Sequence, residues 1–156
     1  MDFGTHAKIF TWLTKMLYLK VSLKIILKNK KGEILLLTLP DTSTMAGFYD
    51  LPGGRIKMSE LTAPFKDGID REMREEVGDG VRYKLIETPI AIGRHRKPSG
   101  EYIMWIFFEA QYKGGRVEIS SEHKGFKWVK ITKKNLSKYF VRGALEGMSN
   151  YVNKKF

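Results

Sequence analysis

The stretch from Leu51-Pro52-Gly53-Gly54 to Arg71-Glu72-Met73-Arg74-Glu75-Glu76-Val77-Gly78 constrains this chain more than any other. Phe65, Ile69, Met73 and Val77 recur every four residues, the spacing of a packing stripe on one face of a helix. Thr62 is placed to cap that helix, with Pro64 in its first turn. Glu72 and Glu76 are then i, i+4, and Glu75 lies one turn from Glu72, so three carboxylates project from one side. Carboxylates at such spacings repel one another. Residues 60–79 hold seven acids and three bases, whereas the whole chain has 28 Lys plus Arg against 17 Asp plus Glu. A positively charged species is expected at this face.

The ligand chemistry narrows what that species is. A set of oxygen donors without nitrogen or sulfur suits Mg²⁺, or Mn²⁺ in its place, with waters and a substrate phosphate completing the coordination. Gly53-Gly54, after a predicted strand, lets the backbone approach a ligand with no Cβ in the way and can aim a carbonyl oxygen at the same ion. The chain has no cysteine, which excludes cysteine-dependent zinc and iron-sulfur sites as well as a disulfide scaffold.

These residues together resemble the signature box of the Nudix hydrolases. The family pattern runs Gly, five residues, Glu, seven residues, then Arg-Glu-aliphatic-any-Glu-Glu-any-Gly-aliphatic. Gly54 is followed after five residues by Glu60, and residues 71–78 match the second half. There are two departures: ten residues separate Glu60 from Arg71, and Asp79 stands at the last aliphatic position. The resemblance implies an α/β fold, a Nudix-type α/β/α sandwich with a mixed β-sheet. It also implies Mg²⁺-dependent hydrolysis of a nucleoside diphosphate derivative. Glu72, Glu75, Glu76 and the Gly53 carbonyl are the expected metal ligands, and Glu60 and Arg71 the residues that orient them. Further on, Glu122-His123 precedes Trp128-Val129 as a family Glu, often followed by His, precedes a Trp-Val strand. On that match Glu122 is a candidate ligand or general base. Isopentenyl diphosphate isomerases share this fold but rely on a cysteine that this chain lacks.

With 156 residues and 42% apolar content, one core is expected: a Nudix domain over residues 19–156, preceded by an extension over residues 1–18. In that extension Ile9, Trp12, Leu13 and Met16 have the spacing of a short amphipathic helix. Lys8, Lys15 and Lys20 interrupt any signal-peptide core, and no apolar run reaches the ~18 to 20 residues of a membrane span. A cytoplasmic protein is the expectation. The net charge of +11 favours polyanions; a nucleotide is the favoured partner, and nucleic acid is the alternative that charge alone leaves open.

Residues 19–27 and 33–39 are predicted strands joined by a hairpin turn at residues 28–32. Phe48 or Tyr49 packs in the core or stacks on a base. Residues 93–100 read as a basic loop whose Arg94, His95 and Arg96 are candidates for phosphate contact, with Arg55 beside the Gly-Gly pair. Residues 102–110 are nearly all apolar, as in a central strand covered on both faces. Residues 135–152 read as one closing helix, weakened locally by Gly143 and Gly147. A second reading of the whole chain is a Nudix-fold sensor that binds a nucleotide or RNA end without turning it over.

Overall fold

The computed structural model describes residues 17–154; the helix expected over residues 9–16 lies outside the described residues. The described residues form one seven-stranded mixed sheet. Its axis is the parallel pair β1 (Leu19–Lys28) and β6 (Tyr102–Gly114), in register from Leu19↔Tyr102 to Lys28↔Gln111. The other edge of β6 is shared end to end by two antiparallel strands, β5 (Ala91–Arg96) and β4 (Arg82–Leu85). Phe107 and Phe108, adjacent on β6 and facing opposite ways, are both fully buried, as a strand covered on both faces requires.

β2 (Ile34–Thr38) follows β1 through a turn in which the Asn29 side chain accepts the Lys31 and Glu33 N–H groups. The predicted hairpin forms and then splays, with β1 and β2 pairing at Lys28↔Ile34. Beyond that point β2 lies between β7 (Gly125–Val129) and the short β3 (Tyr49–Asp50). The edge of β1 thus released is taken by residues 52–56: Ile25 N–H donates to Pro52 O at 2.8 Å and Leu23 N–H to Gly54 O at 2.9 Å. This exchange of partners brings the Gly-Gly pair into the sheet.

Helix α1 (Phe65–Val77) packs on one face. Its Ile69, Met73 and Val77 are buried against Leu23, Ile25, Leu35, Leu37 and Phe108. Phe65 is partly exposed and meets Phe108 edge-on at 5.6 Å. Thr62 does not cap this helix. Pro64 is the N-cap, extended at φ −54° and ψ 138°, because residues 61–63 first close a separate turn in which Ala63 N–H bonds Glu60 O.

The opposite face carries the C-terminal helices, completing the α/β/α sandwich. The single helix predicted over residues 135–152 is instead two, α2 (Leu136–Tyr139) and α3 (Arg142–Asn153). Phe140 and Val141 are extended between them, and this lets Phe140 enter the core at 1% exposure. Leu136, Phe140 and Ala144 are buried with Met148 against Ile26, Leu36, Trp105 and Phe107, while Leu145, Tyr151 and Val152 pack at the edge. Gly147 faces the Phe107 ring so closely that a Cβ would collide with it. The glycines that weaken α3 as an isolated helix are what allow it to lie against β5 and β6.

Candidate active site

The register of α1 that buries Ile69, Met73 and Val77 carries Glu72 and Glu76 to the rim of the core, at 7% and 9% exposure. Burying carboxylates costs stability unless they are hydrogen-bonded or paired. Glu76 Oε2 accepts the Gly53 N–H at 2.6 Å. Gly53 has φ +129°, and a Cβ there would strike the Leu23 carbonyl. A Cβ on Gly54 would come within 2.5 Å of Glu72 Oε1. Only a Gly-Gly pair lets the backbone pass between β1 and these two carboxylates.

Arg71 binds the group together. Its Nε donates to Glu60 Oε1 at 2.5 Å and its Nη2 to Glu60 Oε2 at 2.9 Å, a bidentate pair. The same guanidinium reaches Glu72 Oε1 at 2.6 Å, Glu75 Oε2 at 3.1 Å and the Arg55 carbonyl at 3.2 Å. The three-residue insertion therefore leaves Glu60 in contact with Arg71. Its carboxyl is held down to about 2 by the Arg71 hydrogen bonds, then by the Lys57 N–H, while the Arg71 pKa rises in return.

Glu76 goes the other way. Burial pushes its carboxyl up to about 7, more than the Lys24 charge and the Gly53 N–H pull it down. Glu75 is different again: its side chain is 54% exposed, facing Arg71 and Lys57. Glu122 is exposed on the loop before β7. That loop is anchored to the end of α1, with Ser120 N–H on the Glu76 carbonyl and Glu118 N–H on that of Val77. His123 is half-buried with its Nδ1 unpartnered, and burial lowers its pKa.

One residue at the centre went unread in the sequence. Lys24 of β1 is buried at 5% exposure, and its ammonium donates to Asp50 Oδ2 at 2.7 Å, Gly53 O at 3.1 Å and Leu51 O at 3.4 Å. The signal was a lysine interrupting an otherwise apolar strand segment. Among the described residues no group of three or more Asp, Glu or His side chains is gathered as a metal cage. The Glu72 and Glu76 carboxylates meet the Gly53-Gly54 backbone, Glu76 through the Gly53 N–H and Glu72 against Gly54, with Glu75 at the exposed margin. These carboxylates, with the Gly53 carbonyl beside them, are the oxygen-donor chemistry of a hard divalent cation with several positions left to water or phosphate.

The remaining candidates are dispersed. Arg55 lines a cavity of about 400 Å³ with Lys20, Val21, Lys57 and Met58. Arg94, His95 and Arg96 lie on β5 rather than in a loop, because alternation along the strand buries His95 and exposes both arginines. Arg94 is paired with Glu146 of α3, His95 lies 6.1 Å from the Trp105 ring, and Arg96 stacks 5.5 Å over Tyr102. All three line a second cavity of about 370 Å³ with Tyr102 and Met104. Tyr49 is half-buried at the core margin, edge-on to Tyr139 at 5.7 Å, with Lys127 Nζ 4.0 Å from its ring centre.

A mixed sheet between helices, with a glutamate-bearing helix held against a Gly-Gly turn, defines a class of hydrolases that acts on phosphoric anhydride bonds. The chain belongs to the Nudix family: the NUDIX domain model matches residues 19–144. The structure is similar to a MutT protein from Methanosarcina mazei Go1, at 24% identity and TM-score 0.66 over 89% of this chain and 95% of that one. It is also similar to a NUDIX hydrolase from Nitrosomonas europaea, at 15% identity and TM-score 0.66 over 88% and 91%. An ADP-ribose pyrophosphatase from Streptococcus suis 89-1591 follows, at 18% identity and TM-score 0.58 over 88% and 89%. At these identities the likeness is one of fold. No curated protein matches the chain in sequence.

Proposed function

We propose that this Nudix protein is a Mg²⁺-dependent pyrophosphohydrolase, with Mn²⁺ able to substitute, that cleaves the diphosphate linkage of a nucleoside diphosphate derivative. The observation that carries the reading is the convergence of Glu72, Glu76 and the Gly53-Gly54 backbone, braced by Arg71 and Glu60. Glu72, Glu76 and the Gly53 carbonyl would hold the cation, with Glu75 and Glu122 free to join them. When bound, it neutralises the diphosphate and activates water for attack at phosphorus. Glu75 or Glu122, both solvent-facing, accepts the proton of the attacking water. The new P–O bond forms as the bridging P–O bond breaks, and the leaving phosphate departs with the bridging oxygen. Arg71 acts by fixing the orientation of Glu72.

Arg55, beside a cavity that also holds Lys20 and Lys57, suits the substrate phosphates. Tyr49 offers an aromatic face, and Arg94 and Arg96, with His95 buried between them on β5, line a second cavity. The similarity to an ADP-ribose pyrophosphatase and the strongly basic chain support a nucleoside diphosphate derivative, with nucleoside triphosphates, nucleotide sugars and ADP-ribose as the candidates. A cytoplasmic setting, where such substrates are found, belongs to the same reading. Among the described residues no helix is long and apolar enough to cross a membrane.

The test is a panel of nucleoside diphosphate derivatives incubated with Mg²⁺, with Mn²⁺ and with chelator, run beside Glu76→Gln. Metal-dependent cleavage of one member, lost in the variant, is the expected result. Binding of a member without cleavage under any metal would reject the hydrolase in favour of the sensor.

A further inference from the structure

Lys24 is buried in a strand whose neighbours are apolar, and an ammonium group taken out of water is costly unless every donor is met. Here each of its three N–H donors has an acceptor: the Asp50 carboxylate, the Leu51 carbonyl and the Gly53 carbonyl. Its Nζ also lies 5.3 Å from the centre of the Trp105 ring. Gly53 is consequently gripped from both ends of the residue, its N–H by Glu76 and its C=O by Lys24. Glu72 has Arg71 as its cation, whereas the positive charge that acts on Glu76 is that of Lys24.

Two positive charges cannot share one carbonyl oxygen without mutual repulsion, which is strong in a partly desolvated cleft. We propose that Lys24 is a positioning residue and resident counter-ion. It holds the Gly53 carbonyl and Asp50 in place, and it weakens divalent-cation binding by competing for the Gly53 oxygen. The inference rests on the reading of Glu72, Glu76 and Gly53 as the cation site, and it concerns how that site is tuned.

Lys24→Met removes the charge and keeps most of the length, and Lys24→Arg keeps the charge. Mn²⁺ affinity measured by calorimetry, with melting temperatures in chelator and in saturating Mn²⁺, separates the possibilities. Lys24→Met is expected to melt lower than wild type in chelator, to bind Mn²⁺ about tenfold more tightly, and to gain more in melting temperature from Mn²⁺; one charge removed at hydrogen-bonding range sets that scale. Lys24→Arg is expected to bind Mn²⁺ as wild type does. Should Lys24→Met fail to fold, Lys24→Gln, which keeps two donors without the charge, carries the same expectation. If wild type binds Mn²⁺ and Glu76→Gln does not, yet Lys24→Met binds no more tightly than wild type, the role of Lys24 is overturned and the cation site stands. Mn²⁺ binding by neither wild type nor the uncharged Lys24 variants overturns both.

Discussion

Arg71 grips Glu60 through two hydrogen bonds of 2.5 and 2.9 Å, although ten residues intervene where the family pattern has seven. The insertion is absorbed by the turn at residues 61–63 before α1 begins, so the bracing pair survives a change in loop length. Both side chains are only 15% exposed.

Glu60→Gln should therefore destabilise the fold by about 1–3 kcal/mol, as expected when a charged partner is removed from a mostly buried hydrogen-bonded pair. For a chain of this size that is a drop of roughly 2–4 °C per kcal/mol in melting temperature. The effect has a pH signature. Glu60 is lowered in the folded chain from 4.5 to about 2, so its stabilisation is complete above pH 4.5 and disappears as pH falls from there towards about 2. Urea unfolding across that range should show the wild-type advantage over Glu60→Gln shrinking. A gap that stays constant would mean the Glu60 charge is not what stabilises the pair.

Glu76→Gln should abolish turnover while leaving melting temperature in chelator equal or higher. The amide oxygen can still accept the Gly53 N–H, and a buried charge is removed. Turnover at the wild-type rate would take Glu76 out of the mechanism.

Glu122→Gln should lower kcat by about 10²-fold or more if this residue accepts the proton. Its exposed position makes any change in melting temperature small. Unchanged kcat would pass the assignment to Glu75, for which the same substitution and assay apply.

Gly147→Ala tests packing against propensity. Alanine improves an isolated helix by about 1 kcal/mol. The added methyl would run into the Phe107 ring, and overpacking a core costs about 1–3 kcal/mol. A lower melting temperature is expected; a higher one would show that α3 can move off the sheet.

Much of this protein could be read along the chain because the relevant physics is local. The four-residue stripe of Ile69, Met73 and Val77 sets which way α1 faces, and that register alone carries Glu72 and Glu76 to the edge of the core. Helical geometry needs no distant partner to put residues i and i+4 on one side. The β-prone segments around Leu19, Ile34 and Tyr102 were legible for the same reason, as were the box and the fold class it implies.

What was not legible depended on groups far apart in sequence. The splayed β1–β2 pair, and with it the Gly-Gly segment bonded to Leu23 and Ile25, arises because one strand edge is shared by two partners. Phe140 breaks the closing helix because a core on the far face of the sheet has room for its ring. Arg94 and Arg96, read as loop cations, project from a strand because β6 offers the register that buries His95. Lys24 is the clearest case. Along the sequence it is one more lysine in a basic chain, and only the arrival of Asp50, Leu51 and Gly53 beside β1 turns it into a buried cation, since hydrogen bonds across 26 to 29 residues exist only once the sheet has formed.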